Sequence, residues 1–187
     1  MRVIAGSARS IPLIAPSGSN TRPTTDKIKE TLFNILQYDV QGAVFYDIFA
    51  GSGAIGIEAL SRGAERAVFV DTSRDAINCI TANVKKCKFT DKSRIVKADA
   101  SQLSAYFKKN EAENDAQLII FMDPPYERDL EMPVLRSIAE SGVLKEDDII
   151  IVEEAIRYEL ELPEELGLEI YRVKEYKNQK HLFIRKR

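Results

Sequence analysis

The sequence predicts an α/β protein with a mostly parallel sheet and helices on both faces. Strand-like and helix-like hydrophobic patterns alternate five times along the chain. The strand segments are short, continuous apolar runs, such as Ala43-Val44-Phe45-Tyr46 and Leu118-Ile119-Ile120-Phe121-Met122, as expected of strands covered on both sides. Four acids, Asp47, Asp71, Asp99 and Asp123, fall at the ends of successive predicted strands. That repetition lines one rim of the sheet with carboxylates, and open α/β sheets bind ligands beyond the carboxyl ends of their strands.

The elements follow in order. Residues 2–5 and 11–14 read as two short strands around a turn at 6–10, a hairpin arm set apart from the main core; Pro12 marks an edge. Residues 15–25, rich in Pro, Ser, Gly, Asn and Thr, read as a loop. A helix over 26–37 places Ile28, Leu32, Ile35 and Leu36 on one stripe, with Thr25 or Asp26 capping it and Lys27 and Lys29 off the stripe. The first central strand runs into a glycine-rich turn, Gly51-Ser52-Gly53-Ala54-Ile55-Gly56, and a helix from 57. A second strand at 67–70 ends in Asp71, and a helix over 74–86 buries Ile77, Ile80 and Val84. A third strand at 95–96 leads to Asp99-Ala100. A short helix at 105–110 and a polar loop at 111–115 precede the fourth strand, 117–122. A helix at 132–141 stops at Gly142. A fifth strand covers 149–153, and 168–174 with 181–185 form a closing antiparallel pair.

Composition narrows the function. The 187 residues, 44% hydrophobic and 30% charged, describe an ordinary globular chain. No apolar run approaches the ~20 residues that span a bilayer. The first ten residues lack the apolar core of a secretory signal, so a cytoplasmic protein is expected. Cys79 and Cys87, with one His in the chain, make neither a zinc set nor a disulfide framework; no metal is expected. The net charge of −2 hides an asymmetry. Residues 1–30 carry five Lys/Arg against two Asp/Glu, 60–97 nine against four, and 170–187 seven against one, whereas 111–169 carry four against eighteen. Basic segments brought to one face would hold a phosphate backbone; otherwise they are solvated surface. Arg2, Arg9 and Arg22 are the candidates in the arm.

A strand, a glycine turn and a helix place backbone N–H groups at a ligand. With Asp71 twenty residues after Gly51, the pattern formally matches a dinucleotide site. Two features disfavour that cofactor: Asp47 would crowd a pyrophosphate, and Asp123-Pro124-Pro125-Tyr126 serves no hydride transfer. S-adenosylmethionine fits better. Asp71 can accept from its ribose hydroxyls. Asp99 can accept from its adenine amine, or simply cap a helix before Ser101. Asp47 can balance its positive charge. Asp123 and the Pro124 carbonyl can accept the two N–H bonds of an exocyclic base amine, turning its lone pair toward a methyl group. The prolines fix φ, and Tyr126 can stack on an extruded base.

These residues resemble the class I S-adenosylmethionine-dependent methyltransferases, and within them the RsmD-type enzymes that methylate N2 of a guanine in small-subunit (16S) ribosomal RNA. The carrying stretches are Arg2-Val3-Ile4-Ala5-Gly6, Arg22-Pro23-Thr24-Thr25-Asp26-Lys27-Ile28-Lys29-Glu30-Thr31-Leu32-Phe33-Asn34-Ile35-Leu36, the run from Phe49 to Ala64, and Asp123-Pro124-Pro125-Tyr126. The resemblance implies a Rossmann-like seven-stranded sheet with its last strand reversed. It implies one methyltransferase domain over 1–187, with an arm at 1–25 and a catalytic core at 26–187. Cofactor contacts are expected at Asp47, Ala50, Gly51, Gly53, Asp71, Asp99 and Ala100, and target contacts at Asp123, Pro124 and Tyr126. RNA contacts are expected at Arg9, Arg22, Thr24 and Lys27. The implied product is S-adenosylhomocysteine, and the implied partner is rRNA in an assembling small subunit, met by a monomer. Two segments depart from the family: Ala8-Arg9-Ser10-Ile11 replaces a more basic turn, and Tyr176-Lys177-Asn178-Gln179-Lys180 replaces a Tyr-Gly-x-Thr pattern. The same acid and prolines would also serve N6-adenine methylation, and a non-catalytic RNA-binding module is a third reading.

Overall fold

The computed structural model describes residues 1–16, 25–102, 116–125 and 129–187. Seven strands form one sheet: β1 (Val44–Ile48), β2 (Arg66–Asp71), β3 (Ser93–Lys97), β4 (Leu118–Met122), β5 (Ile149–Ala155), β6 (Leu168–Glu175) and β7 (Gln179–Lys186). Their spatial order is β3-β2-β1-β4-β5-β7-β6. The β1–β2, β1–β4, β2–β3 and β4–β5 pairs are parallel, and β7 is antiparallel to both its neighbours. The last strand alone is therefore reversed, as expected. The chain moves outward from β1 through β2 to β3, then returns to start β4 on the other side of β1. The strand order thus switches between β1 and β4, the place where open α/β sheets form their ligand crevice, beyond the carboxyl ends of the strands.

The helices are α1 (Asp26–Ile35), α2 (Ala54–Ser61), α3 (Arg74–Lys86) and α4 (Glu131–Glu140). Thr25 caps α1 by accepting from the Ile28 N–H, and Ser73 caps α3. Both faces of β1, β2, β4 and β5 are largely buried, which explains their unbroken apolar runs. Phe45, Phe69, Phe121, Ile151 and Phe183 pack with α1, α2 and α3. Tyr46, Val68, Ile120, Val152 and Ile184 pack with α4 on the other face. The expected elements form with end shifts of a few residues. The helix at 105–110 and the loop at 111–115 lie outside the described residues.

The N-terminal arm differs from expectation. Its pairing reduces to one antiparallel bridge, Arg2 with Pro12, supported by Val3 N–H to Ile11 O at 3.0 Å. It does not stand apart from the core, because Val3, Ala8 and Leu13 are buried in the α1–α3 cluster. Fully buried Glu58 on α2 is the fastener. Its carboxylate accepts the N–H groups of Ile4 (2.7 Å) and Ala5 (3.0 Å) and pairs with Lys29 at 3.4 Å and Arg62 at 2.8 Å. Lys29, read as off the apolar stripe, is buried and donates to the Arg2 carbonyl at 2.6 Å. At Gly6 (φ +80°) a Cβ would lie 1.8 Å from the Ser61 carbonyl oxygen, so only glycine allows this approach. Further along, Asn83 of α3 bonds both backbone groups of Ile14 and donates to the Ser52 carbonyl. The arm is thereby tied to the glycine turn.

Replacing Glu58 with Ala leaves Lys29 buried without its carboxylate. A loss of about 3–5 kcal/mol is expected, the cost of breaking a buried pair on one side, measured by urea unfolding; a change below ~1 kcal/mol would contradict the fastener role.

Candidate active site

The glycine turn follows β1 at the switch point. Phe49 (φ +60°), Gly51 (φ +53°) and Gly53 (φ +74°) all take left-handed backbone. Phe49 does so without being glycine, a strained conformation of the kind that clusters at ligand sites. A Cβ on Gly51 would have no neighbour closer than 4.0 Å, so this stretch of backbone is open to a ligand. Gly56 has a different purpose. A Cβ there would lie 2.4 Å from the Phe69 ring, so its absence lets α2 press against the sheet.

Asp47 lies within β1, one residue before its end, and is 2% exposed. Its carboxylate accepts the Gly56 N–H at 2.9 Å, which pins the first turn of α2 to the strand. Burial pushes its pKa up to about 8; Asp123 and Asp71 push the same way, against the Gly56 hydrogen bond. Asp71 ends β2, half-buried. Its two oxygens accept the N–H groups of Gly51 (2.9 Å) and Ser73 (2.8 Å). Each carboxylate oxygen has a second acceptor direction, so a ribose could still be held. Ala50 is buried beside this turn, its N–H bonded to the Val70 carbonyl at 3.1 Å. Asp99 is exposed and caps the next turn: its Oδ1 accepts from the Ser101 N–H (2.9 Å) and hydroxyl (2.8 Å). Those bonds hold its carboxyl below the usual range. Ala100 behind it is buried.

Asp123 follows β4 across the switch point, its N–H directed at the Ile48 carbonyl at 3.4 Å. Burial, then the charge of Glu153, raises its pKa well above the carboxylate range. Pro124 is buried and Pro125 exposed. Tyr126, Arg22 and Thr24 lie outside the described residues. Arg9 and Lys27 are exposed, with Arg9 on the arm's turn and Lys27 in the first turn of α1.

Two rim residues went unnoticed in the sequence. Glu153 on β5 is 3% exposed, and His181 on β7 is fully buried with its Nε2 2.9 Å from Glu153 Oε2. The signal was present, since Glu153 closes an apolar strand just as Asp123 does. His181 could not be placed beside it before the antiparallel register was known.

Asp47, Asp71 and Asp123 therefore converge on one crevice and raise the proton affinity of one of their own number. Among the described residues no Lys or Arg forms an ion pair with any of the three. Open glycine backbone beside uncompensated acid is chemistry that fits a ligand with both a cationic centre and an amino-acid tail, such as S-adenosylmethionine. Among the described residues no group of acids, His and Cys could hold a metal ion, and no helix is long and apolar enough to cross a membrane.

Comparison with known proteins decides the family. A family model described as "Conserved hypothetical protein 95" matches residues 1–185. The chain is 41% identical over 167 residues to "Putative rRNA methyltransferase YlbH" of Bacillus subtilis (strain 168), covering 89% of this chain and 88% of that protein. It is 35% identical over 156 residues to "Ribosomal RNA small subunit methyltransferase D" of Escherichia coli (strain K12), covering 83% and 75%. The chain belongs to the RsmD family. Its fold superposes on the solved structure of "Putative methyltransferase yhhF" from Escherichia coli with a TM-score of 0.79 at 29% identity, covering 100% of this chain and 97% of that one. The RsmD-family sheet thus carries the acid rim described above.

The raised pKa of Asp47 has a stability consequence. The folded chain keeps a proton that the unfolded chain, near 3.8, has released. Stability from this group is therefore full below that value and is lost as pH rises toward about 8. Asp47→Asn keeps an acceptor for Gly56 but cannot titrate. In the ligand-free protein it should gain stability over the parent between pH 5 and 8, on the order of a few kcal/mol, since each tenfold change in proton affinity is worth about 1.4 kcal/mol. Denaturant unfolding across that range checks it; parallel pH profiles would contradict the assignment.

Proposed function

We propose that the chain is an S-adenosylmethionine-dependent methyltransferase acting on the exocyclic N2 of a guanine in small-subunit (16S) ribosomal RNA. The observation that carries this reading is the pairing of Asp123-Pro124 with the open glycine turn across the β1–β4 switch point. The relatives named for methylation of ribosomal RNA support the choice of RNA, and the RsmD name among them is consistent with guanine N2.

In this reading Asp71 accepts the ribose hydroxyls, Asp99 the adenine amine, and the Gly51–Gly53 backbone receives the amino-acid tail, with Ala50 and Ala100 as walls. Asp47 offsets positive charge. The cofactor, when bound, supplies a methyl group made electrophilic by a sulfonium. The chain supplies orientation. The guanine amine is a poor nucleophile because its lone pair is delocalised into the ring. Asp123 and the Pro124 carbonyl accept its two N–H bonds and turn that lone pair outward, a positioning effect of the kind that dominates such transfers. Pro124 and Pro125 stiffen the acceptors, and Tyr126 stacks on the base. The whole chain, 1–187, acts as one methyltransferase domain, its arm and α1 offering Arg9, Arg22, Thr24 and Lys27 to RNA in an assembling subunit. A monomer in the reducing cytoplasm is the setting, where the free, buried Cys79 and Cys87 stay reduced.

Purified small subunits lacking the modification, incubated with the chain and the labelled cofactor, should yield N2-methylguanosine on digestion. N6-methyladenosine alone would overturn the guanine assignment. Asp123→Ala should abolish turnover while affinity for the uncharged product, S-adenosylhomocysteine, stays nearly intact. Asp71→Ala should weaken cofactor binding by about 1–3 kcal/mol, as for a lost acceptor in a site; equal affinity would remove the ribose role.

A further inference from the structure

Glu153 has no part in the scheme above, yet it is built into the same rim. It lies on β5 one residue beyond the Met122–Val152 register pair, and so next to Asp123 at the end of β4. Its Oε1 accepts from Gln179 Nε2, and its Oε2 meets His181 Nε2 at 2.9 Å. His181 Nδ1 in turn lies 3.1 Å from the Tyr176 hydroxyl. Burial pushes the imidazole pKa down to about 4, so the ring is neutral. With Tyr176 donating to Nδ1, its one N–H points from Nε2 to Glu153. The carboxylate is thus solvated by two neutral donors, both from β7. An acid held this way can gain or lose a proton without breaking an ion pair to a Lys or Arg.

The surroundings of the pair are acidic as well. Asp47 on β1 and Glu154 on β5 both feel the Asp123 charge. Asp71 acts on Asp47, and Glu131 of α4 acts on Glu154. The cationic side chains nearby act on the outer groups: Lys180 on Glu154 and Arg172 on Tyr176. Two adjacent carboxylates with no ion-paired Lys or Arg among the described residues cannot both ionise cheaply; burial raises both, the Glu153 charge raises Asp123 further, and the Gln179 hydrogen bond acts against the rise at Glu153.

We propose that Asp123 and Glu153 act as one pair that shares a single proton when no cation is near, releases it to solvent when a cationic methyl donor docks, and regains one from the amine nitrogen after methylation. This rests on the S-adenosylmethionine reading above. The balance closes. Before docking the singly protonated pair carries one negative charge and the free donor's sulfonium one positive charge. After docking the doubly ionised pair and the sulfonium together carry one negative charge, and the released proton takes the positive charge to solvent. In the transfer the carbon–sulfur bond breaks with its electrons left on sulfur, and the amine lone pair forms the nitrogen–carbon bond. The N–H electrons return to nitrogen as its proton passes to Asp123, and Glu153 shares it. The pair is again singly protonated beside a neutral thioether. Asp123 touches the amine; Glu153 works through Asp123 and is a positioning residue for its proton.

The test needs no turnover. Calorimetry of the full chain near pH 7, in buffers of different ionisation enthalpy, counts protons released on binding. S-adenosylmethionine and S-adenosylhomocysteine share the adenosine and amino-acid tail and differ in the sulfonium charge. S-adenosylmethionine should release about one proton more, and its affinity should rise by up to about tenfold per pH unit where the pair titrates, while that of S-adenosylhomocysteine stays flatter. Glu153→Gln should bind both ligands and show a clearly smaller difference, the remainder coming from Asp47. Equal proton counts in the parent chain would overturn the shared proton while leaving the methyltransferase reading intact. An undiminished difference in Glu153→Gln would overturn the role of Glu153. Failure of the parent chain to bind S-adenosylmethionine at all would overturn both.

Discussion

The structure depends on carboxylates placed where water is scarce. Asp47 does this most economically. One oxygen holds the Gly56 N–H and pins α2 against the sheet, and the same burial leaves a proton-hungry acid beneath the crevice between β1 and β4. The missing side chain at Gly56 is what permits that distance, because any Cβ would collide with the Phe69 ring. Helix placement and site electrostatics therefore come from one contact. Glu58 repeats the principle on the outer side of α2, where a buried carboxylate fastens the N-terminal arm through two backbone N–H groups and two cations. The difference between them is compensation. Glu58 has Lys29 and Arg62; Asp47 and Asp123 pair with no cation among the described residues, and an uncompensated acid site is suited to a cationic ligand.

The arm connects this core to the entrance of the crevice. Asn83 reads the backbone of Ile14 in both directions and also holds the Ser52 carbonyl. The segment that leads toward the Arg22-Pro23-Thr24-Thr25 stretch is thus anchored on the glycine turn itself.

Much of this was legible in the sequence because parallel α/β sheets repeat a local grammar. An apolar run followed by an acid or glycine marks a strand end whatever its neighbours, so Asp47, Asp71, Asp99 and Asp123 could be set on one rim. The same grammar placed α3 over 74–86, the bounds the structure shows. What could not be read depends on contacts between distant segments. Lys29 looks like solvated surface until Glu58, 29 positions later, is brought over it. The arm looks separate for the same reason. His181 beside Glu153 requires the register of β7 on β5, and no local pattern encodes that pairing. Asp99 shows the opposite case. Its helix-capping role was one of two open readings, and its bonds to Ser101 are visible.

The central claim is that the crevice between β1 and β4 holds a sulfonium whose methyl group faces the acceptor pair of residues 123 and 124. A crystal structure of the chain soaked with S-adenosylmethionine tests it most directly. The account predicts density running from the Gly51–Gly53 turn toward Asp71, with the methyl carbon directed at the Asp123 side of the crevice. A ligand bound elsewhere, or one whose methyl carbon points away from Asp123, would contradict it.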